Sequence, residues 1–385
     1  MVNRMSLSSM SGQALSLVLP VATVVSLCAT VPAASEGGGR QAPNVRRVDV
    51  APGLYEVAFS ARRQTVYVTS TGVRGQATAP PRVLKLNPAT LEVQGEIPLQ
   101  RAGFGLRLDD DADRLYVGNA IDGALTVIDT STDQVIATVQ LAEKVTGPDG
   151  RETYRHHFRE LVVDRGSHRL FAPGLDTADS ALYVVDTRSL TVERVIRGLG
   201  FVATGAALDE DGGRIYVSNL EGKLFVFDTR TLEPIDTWNI GVDQPLNLAV
   251  DPRGKRLFAT DEGLKQIQDM RAKQIPGFRS SGPGDRVAIL DATSGKLLAS
   301  LETGRQPIAP LLDPERNRLY VTNRGAGTVT VFTTTDYRLL HTISLPDHPN
   351  SLSIDRKTGA VFVTVKSREG SPQGTREGVA RIDLP

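Results

Sequence analysis

The sequence that decides the fold reads Leu319-Tyr320-Val321-Thr322-Asn323 and, after a short gap, Val329-Thr330-Val331-Phe332. Both runs are rich in β-branched and aromatic residues, which favour strands. Similar copies of the first run occur seven times, at 66–69, 115–119, 170–172, 215–219, 257–260, 319–323 and 361–364. They recur at roughly 40 to 60 residues, the spacing of blades in a β-propeller. The sequence therefore predicts an all-β, seven-bladed propeller.

Each copy is followed by a second apolar run, such as Leu125 to Asp129, Leu182 to Asp186 and Leu224 to Asp228. Weaker strand-like segments precede the first run and follow the second. We therefore predict four-stranded antiparallel blades. Many runs are apolar at consecutive positions, which suits sheets buried on both faces by neighbouring blades.

The two ends of the chain predict how the ring closes. The last repeat stops after its third strand, Val379 to Asp383, and an additional strand, Val45 to Val50, precedes the first repeat. We expect Val45 to Val50 to supply the outer strand of the last blade, which would cover two open sheet edges.

The Tyr320 to Asn323 run with its partner Val329 to Phe332 resembles the YVTN-repeat family of bacterial propellers, over nearly the whole chain after the leader. Further resemblance lies in Leu86 to Val93 and His348 to Leu352. Two positions depart from the pattern: Phe171-Ala172-Pro173-Gly174 in the third repeat, and Thr333 where Asp is usual. The resemblance implies a propeller. A periplasmic branch of the family has been linked to DNA binding, so it also implies nucleic acid as a ligand.

The N-terminus has the pattern of a secretory leader. Arg4 precedes an apolar stretch from Ala14 to Val31, and small residues end at Ala33. We predict a signal peptide at 1–33 cleaved near Ala33, a flexible linker at 34–43 and the propeller at 44–385. The protein is then secreted or periplasmic, without a stable membrane span. Its only cysteine, Cys28, would leave with the leader, so no disulfide is expected.

Long connections are predicted on one face of the ring, here called the top face. They are 70–82, 261–286, 366–378 and 140–158. Insertions gathered on one face mark the binding side of a repeat protein. The other face carries short turns opened by aspartates such as Asp209 and Asp228, and these carboxylates are expected to bond backbone N–H groups.

Residues that begin the innermost strands are predicted to surround the upper mouth of the central channel. The candidate binding residues are Tyr55, Glu56, Phe104, Arg159, Glu160, Thr204, Asn247, His348 and Asn350. Such a mixed set can offer donors, acceptors and stacking surfaces to one ligand. For single residues the alternative is structural, as when Asn350 caps a turn. A metal site of His156, His157 and His348 is weighed against surface histidines, and we expect no metal and no cofactor.

Function is expected to be binding and not catalysis. The sequence has no Gly-x-Ser-x-Gly elbow and no phosphate loop, and its single tryptophan excludes the Trp-Asp repeat class. Lys plus Arg and Asp plus Glu each number 44, so the whole chain does not attract nucleic acid. The expected ligand is a protein, a glycan or single-stranded DNA, bound by a monomer. A lactonase-like hydrolase is the enzymatic alternative, with Glu160 as base, Arg159 as anion clamp and His348 as acid.

Overall fold

Each of the seven repeats forms one antiparallel sheet, and the sheets form the blades of a β-propeller. The structure is a computed structural model that describes residues 42–147 and 150–385. The predicted signal peptide, and the linker up to residue 41, lie outside the described residues. The prediction of a seven-bladed, four-stranded propeller is confirmed.

The first half of the chain forms the clasp strand, two regular blades, a hairpin and the third blade. The clasp strand is β1 (Asn44–Ala51), and the hairpin consists of β10 (Lys144–Thr146) and β11 (Glu152–Tyr154). From the channel outward, the strands of blade 1 are β2 (Leu54–Ser60), β3 (Thr65–Ser70), β4 (Arg82–Leu86) and β5 (Val93–Pro98), and those of blade 2 are β6 (Leu106–Asp109), β7 (Arg114–Asn119), β8 (Ala124–Asp129) and β9 (Gln134–Gln140). Those of blade 3 are β12 (His157–Phe158), β13 (Val162–Asp164), β14 (Arg169–Leu175), β15 (Ala181–Asp186) and β16 (Thr191–Ile196).

The second half holds blades 4 to 7 and one helix. Its elements are β17 (Ala203–Asp209), β18 (Arg214–Asn219), β19 (Lys223–Asp228) and β20 (Pro234–Asn239) in blade 4; β21 (Pro245–Asp251), β22 (Arg256–Asp261), α1 (Lys265–Gln274), β23 (Arg286–Asp291) and β24 (Leu297–Glu302) in blade 5; β25 (Pro307–Asp313), β26 (Arg318–Asn323), β27 (Thr328–Thr333) and β28 (Leu339–Ser344) in blade 6; and β29 (His348–Ile354), β30 (Val361–Lys366) and β31 (Glu377–Asp383) in blade 7.

The ring closes as predicted, because β1 is the outer strand of blade 7. It pairs antiparallel with β31, from Asn44 opposite Asp383 to Ala51 opposite Glu377. The first and last strands of the propeller thus share one sheet. Both edges of β31 are therefore paired, one with β30 and the other with β1.

The core lies between neighbouring blades, where apolar side chains of two sheets meet. The aromatic residue of the Tyr-Val run is fully buried in these interfaces, as Tyr67, Tyr216 and Tyr320 illustrate. Between blades 1 and 2, for example, Tyr67 and Val83 share a cluster with Leu115 and Ile128. Because both faces of each sheet are covered, the inner strands read as continuous apolar runs.

Three features depart from the regular prediction. The blade 5 connection, predicted only as a loop, contains α1, whose sequence KQIQDMRAKQ has too few apolar residues to predict a helix. The connection between blades 2 and 3 contains the hairpin of β10 and β11. The innermost strand of blade 3 is split into β12 and β13, which both pair with β14.

The aspartates of the bottom face open turns, as predicted. Asp228 accepts hydrogen bonds from the N–H groups of Arg230 at 2.9 Å and Thr231 at 2.7 Å. The Thr231 bond is the main reason that the pKa of the Asp228 carboxyl lies below its usual value. Within the described residues, no helix has the length and apolar character needed to cross a bilayer.

Candidate functional site

The innermost strands enclose a central channel with a volume of about 1420 Å³. Its upper mouth is bordered by residues that follow β22, β26 and β30, among them Leu264, Arg324 and Arg368. The long connections of blades 5 and 7 therefore border the mouth, in agreement with the predicted top face. The channel is a large concave space lined by both polar and apolar residues, which makes it the natural candidate for a binding site.

Eight of the nine predicted site residues line this channel, as the sequence register anticipated: Tyr55, Glu56, Arg159, Glu160, Thr204, Asn247, His348 and Asn350. Phe104 does not line it. Its ring packs edge-on against Tyr55, with ring centres 5.2 Å apart. Tyr55 and Phe104 thus form an aromatic pair at the mouth, on blades 1 and 2.

Three of these residues connect one blade to the next. Asn247 Nδ2 donates a hydrogen bond to the Ile308 carbonyl at 2.9 Å, and Asn350 Nδ2 donates to the Tyr55 carbonyl at 3.1 Å. The Thr204 hydroxyl donates to the Pro245 carbonyl at a longer 3.4 Å. Each acceptor lies on the following blade, so these side chains hold inner strands together.

A pair of carboxyl groups flanks Arg107 on blades 1 to 3. Glu56 Oε2 accepts a hydrogen bond from the Leu106 N–H at 2.8 Å, and Arg107 Nη2 lies 3.3 Å from Glu160 Oε1. Burial, with the nearby charge of Glu160, raises the pKa of Glu56 to about 8. Burial likewise raises the pKa of Glu160 to about 7, against the opposing charge of Arg107. The charge of Arg107 therefore acts on both Glu56 and Glu160, and the two carboxyl groups share at least one proton near neutral pH.

The sequence analysis missed three further channel residues: Glu262, Arg324 and Lys366. They occupy equivalent positions on blades 5, 6 and 7. Asp261, Asn323 and Val365 pair with the equivalent inner-strand prolines, and the charged residue follows each of them. We call Glu262, Arg324 and Lys366 the charged arc.

Electrostatic coupling runs along the charged arc. Burial raises the pKa of Glu262 to about 7, and the charge of Arg324 opposes this. Burial lowers the pKa of Lys366; Glu377 opposes the shift, and Arg324 and Arg159 add to it. Lys366 Nζ lies 3.5 Å from Glu377 Oε2 and 5.3 Å from the centre of the Tyr55 ring.

Two arginines of the mouth have no counter-ion. The guanidinium groups of Arg159 and Arg324 make no ion pair or hydrogen bond with any side chain or carbonyl of residues 42–147 and 150–385. Both nevertheless line the channel, and both charges act on Lys366. Three cations from blades 3, 6 and 7 therefore converge on one mouth, where Glu377 is the carboxylate paired with Lys366.

The opposite side of the mouth is apolar. Ile267 and Met270 of α1 pack with Leu175 and Leu246, and all four line the channel. Helix α1 is thus laid across the tops of blades 3 to 5. The channel entrance has a cationic side and an apolar side.

The histidines do not assemble a metal site. His156 is buried, with Nδ1 2.9 Å from the Tyr183 hydroxyl and Nε2 3.0 Å from the Asp179 carbonyl. His157 Nδ1 lies 2.6 Å from the Ala120 carbonyl. Among the described residues, no three side chains of His, Cys, Asp or Glu are placed to hold a metal ion.

Glu160, Arg159 and His348 of the hydrolase alternative line the same channel, but no direct contact holds them together. Glu160 pairs with Arg107, and Arg159 acts on Lys366. Burial, with the charge of Arg324, lowers the pKa of His348. In the described part of the chain, no hydrogen bond or ion pair joins any two of the three residues.

Comparisons with known proteins find relatives that match most of the chain. No protein-family model matches the chain. The chain is 27% identical over 349 residues to the uncharacterized protein YncE of Salmonella typhimurium, an alignment that covers 89% of this chain and 92% of that protein. It is also 27% identical over 357 residues to the uncharacterized protein YncE of Escherichia coli O157:H7, covering 91% and 94%.

These similarities extend over nearly all of both chains, so they include every blade and not a single repeat. The chain is a seven-bladed β-propeller that is similar in sequence to the YncE proteins over nearly its whole length.

Proposed function

We propose that this protein binds an anionic ligand at the upper mouth of its channel, without converting it chemically. The ligand is a small anion or the anionic group of a protein, glycan or nucleic acid. Arg159, Arg324 and Lys366 hold this group, and the rest of the molecule extends over the top face.

The observation that carries this proposal is the convergence of cations without counter-ions. Arg159 and Arg324 are unpaired among the described residues, and their charges lower the pKa of Lys366. Like charges that converge in a partly enclosed space repel one another, and the repulsion is relieved when an anion binds between them. An arginine can also offer a carboxylate, sulfate or phosphate group two parallel hydrogen bonds.

Calorimetric titration of the protein with sulfate and with citrate, at low ionic strength, tests the proposal. Arg159→Gln and Arg324→Gln are each expected to weaken binding about tenfold or more, because a hydrogen bond to a charged group contributes about 1.5–3 kcal/mol. The matched control is Arg305→Gln. Arg305 is exposed, and its Nη2 donates to the Gly325 carbonyl at 3.1 Å.

Arg305→Gln should leave the affinity within about twofold of the original, apart from a small screened contribution. If neither anion binds, the proposed site is wrong. If all three variants weaken binding equally, the anion is attracted by the general positive charge of the top face and not by Arg159 and Arg324.

Single-stranded DNA is a second candidate, favoured by the aromatic pair. Tyr55 and Phe104 pack edge to face beside the cation of Lys366. Aromatic rings next to cations are the usual elements of single-strand binding, in which bases stack and phosphates pair. Fluorescence anisotropy of a labelled oligothymidylate at two salt concentrations, with Phe104→Ala beside Arg159→Ala, tests this. Salt-dependent binding lost in both variants supports it, and absence of binding at low salt rejects it.

We also propose that the protein works after export from the cytoplasm. The apolar stretch from Ala14 to Val31 with small residues near Ala33 supports this. The mass of the protein recovered from its native cells would reveal whether the chain begins just after Ala33.

A further inference from the structure

Glu262 is a buried carboxyl group with no partner among the residues that the structure describes. Its residue is 3% exposed, and its side chain forms no hydrogen bond or ion pair with any described residue. It nevertheless lines the channel beside Arg324, which is also unpaired. Buried polar groups are nearly always hydrogen-bonded, and an unsatisfied one has a free-energy cost. A buried, unpaired carboxyl group that faces a channel can gain its hydrogen-bond partner from a ligand bound there.

The backbone around Glu262 is held in place. Gly263 has a left-handed φ of +69°, and a Cβ there would lie 2.4 Å from the Pro283 carbonyl oxygen. The side chain of Gln244 bonds Leu264 twice, accepting from its N–H at 2.9 Å and donating to its carbonyl at 3.0 Å. These contacts fix the segment that directly follows Glu262, so that the position of the carboxyl precedes ligand binding and is not created by it.

Several other charged groups on the surrounding elements have partners of their own, and Lys273 and Arg279 are exposed. The pairs are Asp261 with Arg286, Glu221 with Lys223, Lys265 with Asp269, Asp243 with Arg271, Ser280 and Ser281, and Asp285 with the Gln306 N–H. Arg324 is the group whose charge acts on Glu262, and it acts on His348 and Lys366 as well.

An ionised Glu262 would repel the anion that Arg159, Arg324 and Lys366 attract. A protonated carboxyl removes that repulsion and adds one donor. We propose that Glu262, in its neutral form, donates a hydrogen bond to an oxygen of the anion held by Arg324, so that capture of the ligand takes up one proton from solvent. The inference rests on the proposed anion-binding function. It specifies an oxyanion with at least two acceptor oxygens, as in sulfate and carboxylate groups.

Titration calorimetry of the full chain with sulfate tests this, because sulfate does not itself take up a proton near neutral pH. Affinities are measured from pH 6.5 to 9, where His348 stays neutral, and proton uptake is measured at pH 8 in two buffers of different ionisation enthalpy. The variants are Glu262→Gln, which keeps a donor but cannot titrate, and Glu369→Gln, in which an exposed glutamate of the same mouth is changed.

We expect the unmodified chain and Glu369→Gln to take up close to one more proton per sulfate than Glu262→Gln at pH 8. Their affinity should also fall more steeply with pH, by up to about tenfold more per pH unit. Glu262→Gln should bind at least as well as the unmodified chain at pH 8.5. Equal proton uptake and parallel pH profiles in all three proteins would overturn the role of Glu262 and leave anion binding intact. Absence of sulfate binding to every protein at pH 6.5 would instead reject the anion site itself.

Discussion

Val48 in the first strand of the propeller lies directly opposite Val379 in the last, so the ring is closed by residues from the two ends of the chain. Two other valines of β1 differ in burial: Val50 is 5% exposed to solvent, whereas Val45 is 37% exposed. Val50→Ala should lower the free energy of unfolding by about 1–3 kcal/mol, because it removes two buried methyl groups and leaves a cavity. Urea unfolding followed by tryptophan fluorescence measures the loss.

The matched control for the clasp is Val45→Ala, which should change the unfolding free energy by no more than about 0.5 kcal/mol. Equal effects of the two substitutions would mean that β1 is not packed against blades 1 and 7 as described.

The ring could be predicted because each repeat carries its own strand signal. The inner strand expected at Tyr55 to Phe59 is Leu54–Ser60, and the clasp expected at Val45 to Val50 is Asn44–Ala51. Helix α1 could not be predicted, since Ile267 and Met270 become partly buried only against Leu175 of blade 3 and Leu246 of β21. Its stability comes from packing that local sequence does not encode.

The inter-blade hydrogen bonds predict a structural role for one candidate binding residue. Asn247→Ala should lower the unfolding free energy by about 1–2 kcal/mol, because Asn247 Nδ2 donates to the Ile308 carbonyl at 2.9 Å. Thr204→Val should have a smaller effect, since its bond to the Pro245 carbonyl is 3.4 Å long. Thermal unfolding of both variants measures the difference. A larger loss from Thr204→Val than from Asn247→Ala would contradict this assignment.

The candidate site was only half predictable. The register placed Tyr55, Arg159 and His348 at the channel, because inner-strand residues must face it. Glu262, Arg324 and Lys366 were missed, although alignment of the repeats places each at the end of strand two of its blade or directly after it. Their position could be predicted from the sequence. Their burial and their electrostatic interactions could not, because these depend on how three different blades meet at the mouth.

The unusual third repeat predicts a local intolerance to a larger side chain. At Gly174 an added Cβ would lie 2.9 Å from the Cβ of His156 and 3.0 Å from ring atoms of Phe158 and Tyr183. Gly174→Ala should therefore destabilise the protein by about 1–3 kcal/mol through overpacking. Gly174 thus provides the space in which β12, the first part of the split inner strand of blade 3, packs against β14.

Gly95→Ala is the matched control for Gly174. Its nearest contact would be Lys85 Cδ at 3.8 Å, so the substitution should be neutral or stabilising by up to about 1 kcal/mol. Thermal unfolding compares the two variants. Tolerance of Gly174→Ala would mean that His156 and Tyr183 are not packed against this glycine.

The titration of Glu262 predicts how stability depends on pH without any ligand. The unfolded chain loses the proton of this carboxyl near pH 4.5, whereas burial keeps the folded pKa at about 7. Between these values the unfolded state binds fewer protons, so stability falls as pH rises, by about 1.4 kcal/mol per unit and about 3 kcal/mol in all. Above pH 7 the contribution is constant.

Glu262→Gln removes this titration and should therefore gain stability relative to the unmodified chain as pH rises from 4.5 to 8. Urea unfolding at several pH values measures the gain. Some fall with pH will remain in the variant, because burial also raises the pKa of Glu56 and Glu160. Glu369→Gln, at an exposed position, should give a curve parallel to that of the unmodified chain. If Glu262→Gln gives the same parallel curve, the carboxyl of Glu262 is ionised in the folded protein at neutral pH, and its neutral form does not face the channel.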